Sequence, residues 1–343
     1  MAEALAIKYR PKTWDDVTEQ SAVRTILQNQ IETNTIKHGY LFCGPAGCGK
    51  TTAARIFANE INKGEGQPIE LDAASNNSVD DIRKITGQAQ TKSLDSEYKV
   101  FILDEVHSLS NQAWQAFLKT LEEPPAKAIF IMCTTDPQKV PATILSRAQR
   151  YNFQKISTDG IFNRLHYIAL EELGNIKGIT IEMDALQYIA KIAEGGMRDA
   201  ITLLDKCISY SNDITIENVV KALGVADYET MFRLVDALDL NDIKTTVSLI
   251  NDTYNSGIDL KLFIKTFFEF VLDINVLFST GDKNFIKIPD TYLDTLRQFS
   301  DNKVDTTKRL LDLLVELQGK IKYEQNPKAV IIAQFILFIR RAS

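Results

Sequence analysis

The sequence predicts an α/β fold: a domain built on a parallel β-sheet, followed by two helical regions. A buried strand at residues 40–43 runs through a glycine-rich turn into a helix. Residues 99–105 and 128–135 each contain an apolar run, as expected of parallel strands that are buried on both faces. Strand patterns almost disappear after Ser157, where apolar residues follow helical spacing instead.

Composition narrows the class of protein. The 343 residues are 45% hydrophobic, which is enough for about two or three domains with apolar cores. The net charge of −6 gives no support to nucleic-acid binding, so any DNA contact has to come from local donors and helix N-termini. The sequence predicts neither a membrane span nor a signal peptide, because no apolar run is long enough and none follows Lys8 and Arg10.

The four cysteines are expected to be reduced core residues of a cytoplasmic protein. They show no C-x-x-C spacing, they lie within or beside apolar runs, and the three histidines are far from them in sequence. They are Cys43, Cys48, Cys133 and Cys207. Metal ligation by this set is therefore not expected.

The glycine-rich turn fits the phosphate-binding loop G-x-x-x-x-G-K-[ST] at Gly44–Thr51. Glycines allow consecutive backbone N–H groups to turn inward around an anion, and the helix that begins at Lys50 adds its positive dipole end. Lys50 can reach the β and γ phosphates, and Thr51 can offer its hydroxyl to Mg²⁺. The loop predicts binding of a nucleoside triphosphate.

Two acids, Asp104 and Glu105, end the strand at residues 99–105. In a parallel sheet this carboxyl edge is where ligands bind, and the phosphate loop lies on the same edge. We expect Asp104 to hold Mg²⁺ and Glu105 to orient the attacking water. A pair of acids that merely ends a strand is the alternative, and the upstream phosphate loop argues against it.

Several weaker features allow two interpretations. The N-terminal arm, residues 6–17, either packs Trp14 on the core or forms the wall of an adenine site, and the residues alone favour core packing. Thr135 either ends its strand or contacts the γ-phosphate. Arg147 is by default a solvated side chain. Arg198 follows the break at Gly195–Gly196 in the first turn of a helix, against the dipole preference, which suggests that an anion or an acid pairs with it.

The remaining pattern is helical. Residues 21–32 and 111–122 are amphipathic, residues 69–73 form a short strand, and Ser78 with Asp81 resembles a capping box that opens a helix. Beyond Ser157 the apolar spacing predicts helices at residues 157–173, 183–193, 198–209, 216–223, 260–278, 306–322 and 328–339. The Phe- and Leu-rich face of residues 260–278 is explained equally well by packing against partner helices and by a simple core.

Taken together, these segments resemble the AAA+ superfamily, and more narrowly the gamma/tau motor subunit of the bacterial replicative clamp loader. The resemblance covers nearly the whole chain in order. The residues that carry it are Lys8-Tyr9-Arg10-Pro11, Gly44–Thr52, Leu103-Asp104-Glu105-Val106-His107, the run from Leu118 to Pro125, Thr134-Thr135-Asp136-Pro137-Gln138-Lys139, Ile144-Leu145-Ser146-Arg147 and Gly195-Gly196-Met197-Arg198-Asp199-Ala200.

The resemblance implies a role for each weak residue. Thr135 resembles the sensor-1 position, Arg147 the arginine finger that reaches the ATP of a neighbouring subunit, and Arg198 the sensor-2 arginine on the γ-phosphate. The nucleotide contacts it implies, together with Arg198, are Tyr9, Arg10, Pro11, Val17, Gly44, Pro45, Ala46, Gly47, Cys48, Gly49, Lys50, Thr51 and Thr52. DNA contacts are expected at helix N-termini, near Asn77, Ser78, Arg83 and Asn111.

The resemblance also implies an architecture and partners. It divides the chain into an AAA+ ATPase domain (residues 1–156), a helical lid (157–224) and an all-α collar for oligomerisation (225–343). Several copies, with non-identical partner subunits, would form a ring that uses ATP and Mg²⁺ to open a sliding clamp and load it on primer–template DNA. The alternatives are another AAA+ DNA motor such as a branch-migration helicase, and an ATP-binding structural subunit that does not hydrolyse ATP.

The sequence departs from the family pattern in a few places. Residues 62–68 replace the usual four-cysteine zinc module, so no structural zinc is expected. The usual Ser-Arg-Cys is Ser-Arg-Ala at residues 146–148, and a common glycine is lost in Asp16-Val17-Thr18-Glu19. The sequence ends at the collar without the family's long tail, which predicts a minimal form.

Overall fold

A computed structural model describes residues 3–175, 180–223 and 227–342 of the chain. The chain separates into two compact units. The first contains the chain up to Ile168 together with Ala193–Thr202, and the second contains Ala169–Ile192 together with the chain from Leu203 onward. The three-domain division stays a prediction, and its boundary between residues 224 and 225 lies outside the described residues.

The first unit contains a five-stranded sheet in which every pairing is parallel. Its strands are β1 Gly39–Cys43, β2 Ile69–Asp72, β3 Lys99–Asp104, β4 Ala128–Thr134 and β5 Gln149–Asn152. They lie in the order β2-β3-β4-β1-β5. This confirms the predicted parallel sheet, and the strands predicted at residues 40–43, 69–73, 99–105 and 128–135 are found to within one residue.

The edge strand β5 was not predicted. It pairs with β1, yet only Tyr151 of its four residues is buried. An edge strand has one free side and needs few apolar residues, so a segment of Gln, Arg, Tyr and Asn carries little strand signal.

The helices up to residue 145 are α1 Leu5–Lys8, α2 Ser21–Glu32, α3 Lys50–Ile61, α4 Val79–Ala89, α5 Asn111–Glu122 and α6 Ala142–Leu145. Helices α2 to α5 cover both faces of the sheet. Leu27 of α2 and Phe57 of α3 pack on one face, and Ile82 of α4 and Phe117 of α5 pack on the other. Successive residues of β3 and β4 belong in turn to the apolar cluster on one face of the sheet and to the cluster on the other. These strands are therefore buried on both sides, as predicted.

The described chain beyond residue 157 is helical except for one pair of two-residue strands, β6 Thr180–Ile181 and β7 Asp213–Ile214. The helices are α7 Thr158–Asn175, α8 Met183–Ile192, α9 Met197–Tyr210, α10 Ile216–Leu223, α11 Tyr228–Asp239, α12 Ile243–Asn255, α13 Leu260–Thr280, α14 Leu293–Asn302, α15 Val304–Ile321 and α16 Pro327–Ala342. The predicted helices are confirmed, with ends that shift by a few residues.

The aromatic face of α13 is a core face. Phe263, Phe267 and Phe270 are at most 2% exposed, whereas Phe278 near the end of the helix is 45% exposed. Core packing therefore accounts for most of this aromatic surface, and the oligomerisation role of the region stays a prediction.

The backbone is left-handed at two positions that the sequence analysis singled out, the break before α9 and the site of the lost glycine. The break before α9 is confirmed, since Gly195 has a φ of +93° and the helix begins at Met197. The position of the lost glycine is occupied by Glu19, which has a φ of 59° and is followed by Gln20 with a φ of 58°. Both residues adopt the left-handed conformation that glycine adopts most easily.

Candidate nucleotide-binding site

The phosphate loop connects β1 to α3 and contains three glycines, each at a position where the backbone or its surroundings require glycine. Gly47 and Gly49 have φ values of +69° and +101°, in the left-handed region. A Cβ atom on Gly44 would lie 2.6 Å from the carbonyl oxygen of Phe153, so no side chain fits there. The turn therefore brings backbone N–H groups and the N-terminal end of α3 to one point, which is a site for a phosphate group.

The loop holds one cation and one hydroxyl in place. Lys50 is only 6% exposed, and its ammonium group donates to the carbonyl oxygens of Gly44 at 2.9 Å and Pro45 at 2.7 Å. The Thr51 hydroxyl donates to Oδ2 of Asp104 at 2.6 Å. This contact joins the first turn of α3 to the carboxyl end of β3. A hydroxyl and a carboxylate at one point are the hard oxygen ligands that Mg²⁺ prefers, so the residues fit that ion.

Glu105 follows Asp104 in a left-handed conformation, with a φ of 47°. Its carboxylate accepts a hydrogen bond from the Thr135 hydroxyl at 3.1 Å and lies 3.2 Å from Nδ1 of His107. The same His107 nitrogen lies 3.2 Å from the hydroxyl of the buried Thr134. A non-glycine residue at positive φ is unfavourable and is typical of functional sites, where surrounding contacts hold it.

A cavity of about 290 Å³ lies beside the loop. The predicted residues that line it are Tyr9, Arg10, Pro11, Val17, Ala46, Gly47, Cys48, Gly49, Lys50, Thr51, Thr52, Asp104, Glu105 and Arg198. In the N-terminal arm, Trp14 is buried in the core at 2% exposure, as the first alternative expects, and neighbouring arm residues line the cavity. The contact of these residues with adenine stays a prediction.

Arg198 reaches the cavity because its segment packs on the phosphate loop. The Met197 N–H donates to the Gly47 carbonyl oxygen at 3.0 Å, and a Cβ on Gly47 would lie 3.0 Å from Cα of Gly196. A glycine at position 47 therefore leaves room for the backbone of Gly196. Arg198 is exposed, and no acidic side chain in the described part of the chain forms an ion pair with it.

Of the residues predicted for the nucleotide site, four are not in the cavity lining: Gly44, Pro45, Thr135 and Arg147. Gly44 and Pro45 act through their carbonyl groups on Lys50, and Thr135 contacts Glu105. Arg147 is separate. Its guanidinium pairs with Glu122 at 2.7 Å and donates to the Thr143 carbonyl oxygen at 2.8 Å.

The sequence reasoning missed part of the lining. Further lining residues are Ala6, Asp16, Thr18, Ile156, Arg164, Met197, Asp199 and Ile201. Arg164 donates to the Tyr9 carbonyl oxygen at 3.1 Å and lies over the ring of Tyr167. A helix that starts more than a hundred residues after the loop gives no local signal that it returns to the site.

The cysteines are buried, as predicted. Burial raises the pKa of Cys43, Cys48 and Cys133, which favours the neutral thiol over the thiolate that metals bind. Among residues 3–175, 180–223 and 227–342, no group of three or more His, Cys, Asp or Glu side chains is arranged to hold a metal. The absence of structural zinc stays a prediction.

The predicted DNA-contact residues lie at or near the first turns of α4 and α5. Ser78 caps α4 by accepting from the Asp81 N–H, and the Ser110 N–H donates to the Asn77 carbonyl oxygen at 3.2 Å, which joins the two helix ends. Asn111 begins α5. Arg83 pairs with Asp80 at 3.1 Å. The first turn of α4 carries two acids, whereas that of α5 carries none.

In the part of the chain that the structure describes, no helix is both long enough and apolar enough to cross a bilayer.

Three family models match consecutive parts of the chain. They are described as DNA polymerase III, delta subunit (residues 67–157), DNA polymerase III clamp loader subunit, ATPase lid domain (161–213), and DNA polymerase III subunits gamma and tau domain III (214–337).

Curated relatives carry matching names. DNA polymerase III subunit gamma of Buchnera aphidicola is 30% identical over 95% of this chain and 95% of its own length. DNA polymerase III subunit tau of Bacillus subtilis is 33% identical over 95% of this chain but only 61% of its own length. The chain thus spans about half to three-fifths of the first relatives it matches.

Among solved structures, the Holliday junction branch migration motor RuvB of Thermotoga maritima matches with a TM-score of 0.51. It is 20% identical and covers 68% of this chain and 80% of its own. At this sequence identity the match supports the fold alone, and the fold agrees with the predicted P-loop ATPase fold.

Proposed function

Since the chain belongs to the family of DNA polymerase III gamma and tau subunits, we propose that it is an ATP-driven motor subunit of a clamp loader. It helps to open a DNA sliding clamp, loads the clamp on primer–template DNA during replication, and releases it when ATP is hydrolysed. The observation that carries the proposal is the contact between the phosphate loop and the end of β3, where the Thr51 hydroxyl lies 2.6 Å from Asp104.

The phosphates of ATP are bound by the loop and by two cations. Lys50 exchanges its contacts with the Gly44 and Pro45 carbonyl oxygens for the β and γ phosphates, and its buried stem leaves the ammonium group few other positions. Arg198, which has no acidic partner among the described residues, contacts the γ-phosphate. Thr51 and Asp104 would hold Mg²⁺, and the ion would supply positive charge to the phosphate oxygens.

Glu105 orients the attacking water, and its neighbours hold its carboxylate in position. Its carboxylate is engaged by the Thr135 hydroxyl and lies beside His107. A carboxylate with two polar neighbours has a defined position, so water can be held at a defined angle to the γ-phosphate. Thr135 thereby links the end of β4 to the chemistry, which is the sensor-1 role.

The remaining roles need partners. Arg147 lies outside the lining of its own chain's cavity, so we assign it to the ATP of a neighbouring subunit in a hetero-oligomeric ring with several copies of this chain. Residues 1–156 would be the ATPase domain, 157–224 the lid and 225–343 the collar that holds the ring together. The proposed location is the cytoplasm, where a replication complex meets its DNA.

DNA contacts are proposed at the N-terminal ends of α4 and α5. The end of α5, at Asn111, is the better phosphate site, because the acids in the first turn of α4 oppose an anion there. Ser78 is also committed to its capping bond and Arg83 to Asp80. Asn111→Asp should therefore weaken DNA binding more than Asn77→Asp.

The test is clamp loading by the complex reconstituted with its partner subunits. We expect phosphate release that is stimulated by clamp and primed DNA, together with a labelled clamp retained on primed circular DNA. ATP-dependent strand displacement without clamp retention would instead indicate a branch-migration motor. Binding of ATP with no phosphate release in any assembly would indicate a structural subunit.

A further inference from the structure

The exposed residue Glu19 makes an unusual contact for a position with a left-handed backbone. Both of its carboxylate oxygens lie 3.2 Å from the backbone nitrogen of Ser157, and the Ser157 hydroxyl donates to one of them. Ser157 in turn accepts from the Gly160 N–H at 3.0 Å, in the N-cap geometry of α7. The carboxylate therefore sits at the positive end of a helix.

The absence of a side chain at Gly160 leaves room for the Glu19 carboxylate. Gly160 is the third residue of α7 and has no unusual φ, so the backbone does not require glycine there. A Cβ atom on it would lie 2.6 Å from Oε1 of Glu19 and 3.1 Å from a methyl carbon of Thr18. A residue with a Cβ atom at this position would therefore require the Glu19 carboxylate to move from where it contacts Ser157.

The contact joins separate walls of the nucleotide cavity. Val17 and Thr18, which line the cavity, directly precede Glu19, while the lining residue Ile156 directly precedes Ser157. The Ile156 N–H also donates to the Gly195 carbonyl oxygen at 3.2 Å, so the same point holds the segment that carries Arg198.

Gln20, the next residue after Glu19, also holds the segment that precedes α7. Its side-chain amide exchanges hydrogen bonds with the backbone of Gln154 at 2.8 and 3.1 Å and lies 3.5 Å from the Cys48 carbonyl oxygen in the phosphate loop. Two consecutive left-handed residues are unfavourable for side chains other than glycine, and here both side chains are used to hold residues 154–157.

We propose that Glu19 is a positioning residue of the nucleotide site: its carboxylate fastens the wall formed by Val17 and Thr18 to the start of α7. The inference rests on the proposed function, because it takes this cavity as the ATP site. Glu19 lies outside the lining, and Val17 beside it belongs to the N-terminal arm that is expected at the adenine base, so we assign its effect to binding of the base and ribose rather than to the reacting phosphate.

The experiment measures binding of fluorescent ATP and ADP analogues by the full chain. Glu19→Ala keeps a residue other than glycine at this left-handed position but removes the carboxylate. It should weaken the binding of both nucleotides by roughly three- to tenfold, since an exposed charge-assisted contact is lost. Glu19→Gln keeps one acceptor and should recover most of the affinity. Steady-state KM should rise with little change in kcat.

A second variant reaches the contact from α7. Gly160→Ala should also weaken binding of both nucleotides, since its Cβ displaces the Glu19 carboxylate, and the loss in the double variant should be smaller than the sum of the two single losses, because the variants share that interaction. Asn34→Ala is the matched control: Asn34 is an exposed left-handed residue outside the cavity lining, and its replacement should leave affinity unchanged.

The outcomes separate the two proposals. If the unaltered chain binds neither nucleotide, the proposed function fails. If it binds both, and folded Glu19→Ala and Gly160→Ala proteins bind equally well, only the positioning role is overturned. A loss confined to ATP would also overturn it, since that would place the effect at the γ-phosphate.

Discussion

Replacing Glu122 by glutamine should raise the ATPase rate of the assembled ring, because it releases the arginine that we assign to the neighbouring site. Arg147 is held by Glu122 at 2.7 Å, and the two side chains are 35% and 43% exposed. An exposed ion pair of this kind is worth about 0.5 kcal/mol, so its loss should roughly double the fraction of Arg147 that is free to reach across. Arg147→Ala should instead reduce the rate by on the order of 10³-fold or more, since an arginine supplied in trans contributes that much in related phosphoryl transfers.

The assay is steady-state phosphate release from rings assembled with clamp and primed DNA, at low and high salt. The gain from Glu122→Gln should shrink at high salt, because salt already screens the pair. Glu123→Gln is the control, since it removes a neighbouring exposed charge and leaves Arg147 paired. Rings that mix Lys50→Ala subunits with Arg147→Ala subunits should recover activity at junctions that pair an intact loop with an intact arginine. No recovery in verified mixed rings, or the same loss from Glu122→Gln as from Arg147→Ala, would refute the shared site.

Four further predictions concern single sites. Lys50→Ala should abolish turnover while the protein stays folded, because it removes a charge-assisted contact worth about 1.5–3 kcal/mol to the phosphates; normal phosphate release would contradict the loop assignment. Glu105→Gln should bind ATP normally but hydrolyse it very slowly, and an equal fall in affinity would make Glu105 a structural or metal residue. Purified protein should contain far less than one zinc per chain by elemental analysis, and a chelator should not change its Tm. Burial raises the pKa of Asp273 to about 6, so the folded state binds this proton more tightly than the unfolded state. The free energy of unfolding should therefore decrease as the pH rises from about 4 to about 6, by up to about 3 kcal/mol relative to the Asp273→Asn variant. Parallel pH profiles of the two proteins in denaturant titrations would contradict this.

Local chemistry explains which parts of the site could be predicted. The glycines of the loop, Lys50, and the two acids at the end of β3 each belong to a short segment whose residue types follow from binding phosphate and Mg²⁺. Apolar runs buried on both faces also identify parallel strands, so the edge on which loop and acids meet follows from the sheet. Arg198 required the resemblance, because nothing in its segment indicates the Met197–Gly47 hydrogen bond that brings it to the cavity.

The features that could not be predicted depend on long-range partners. Glu19 and Gln20 look like ordinary polar residues at a helix start, and only the structure shows their left-handed backbone and their bonds to residues 154–157. The Arg147–Glu122 pair spans 25 residues and two elements, and β5 is too polar to be recognised as a strand. In each case the deciding interaction lies with residues that the local pattern does not contain.

The charge of the cavity gives a reason for the neighbouring arginine that is independent of family. The charged residues in the described lining are Arg10, Lys50, Arg164 and Arg198 on one side and Asp16, Asp104, Glu105 and Asp199 on the other, so their formal charges cancel. A nucleoside triphosphate with its Mg²⁺ remains anionic, and charge on the transferring phosphoryl group has to be stabilised by groups fixed in position. A neutral lining provides recognition but no surplus positive charge for that step. An arginine brought by a second subunit would supply it only when the ring is assembled, and ATP hydrolysis would then depend on assembly.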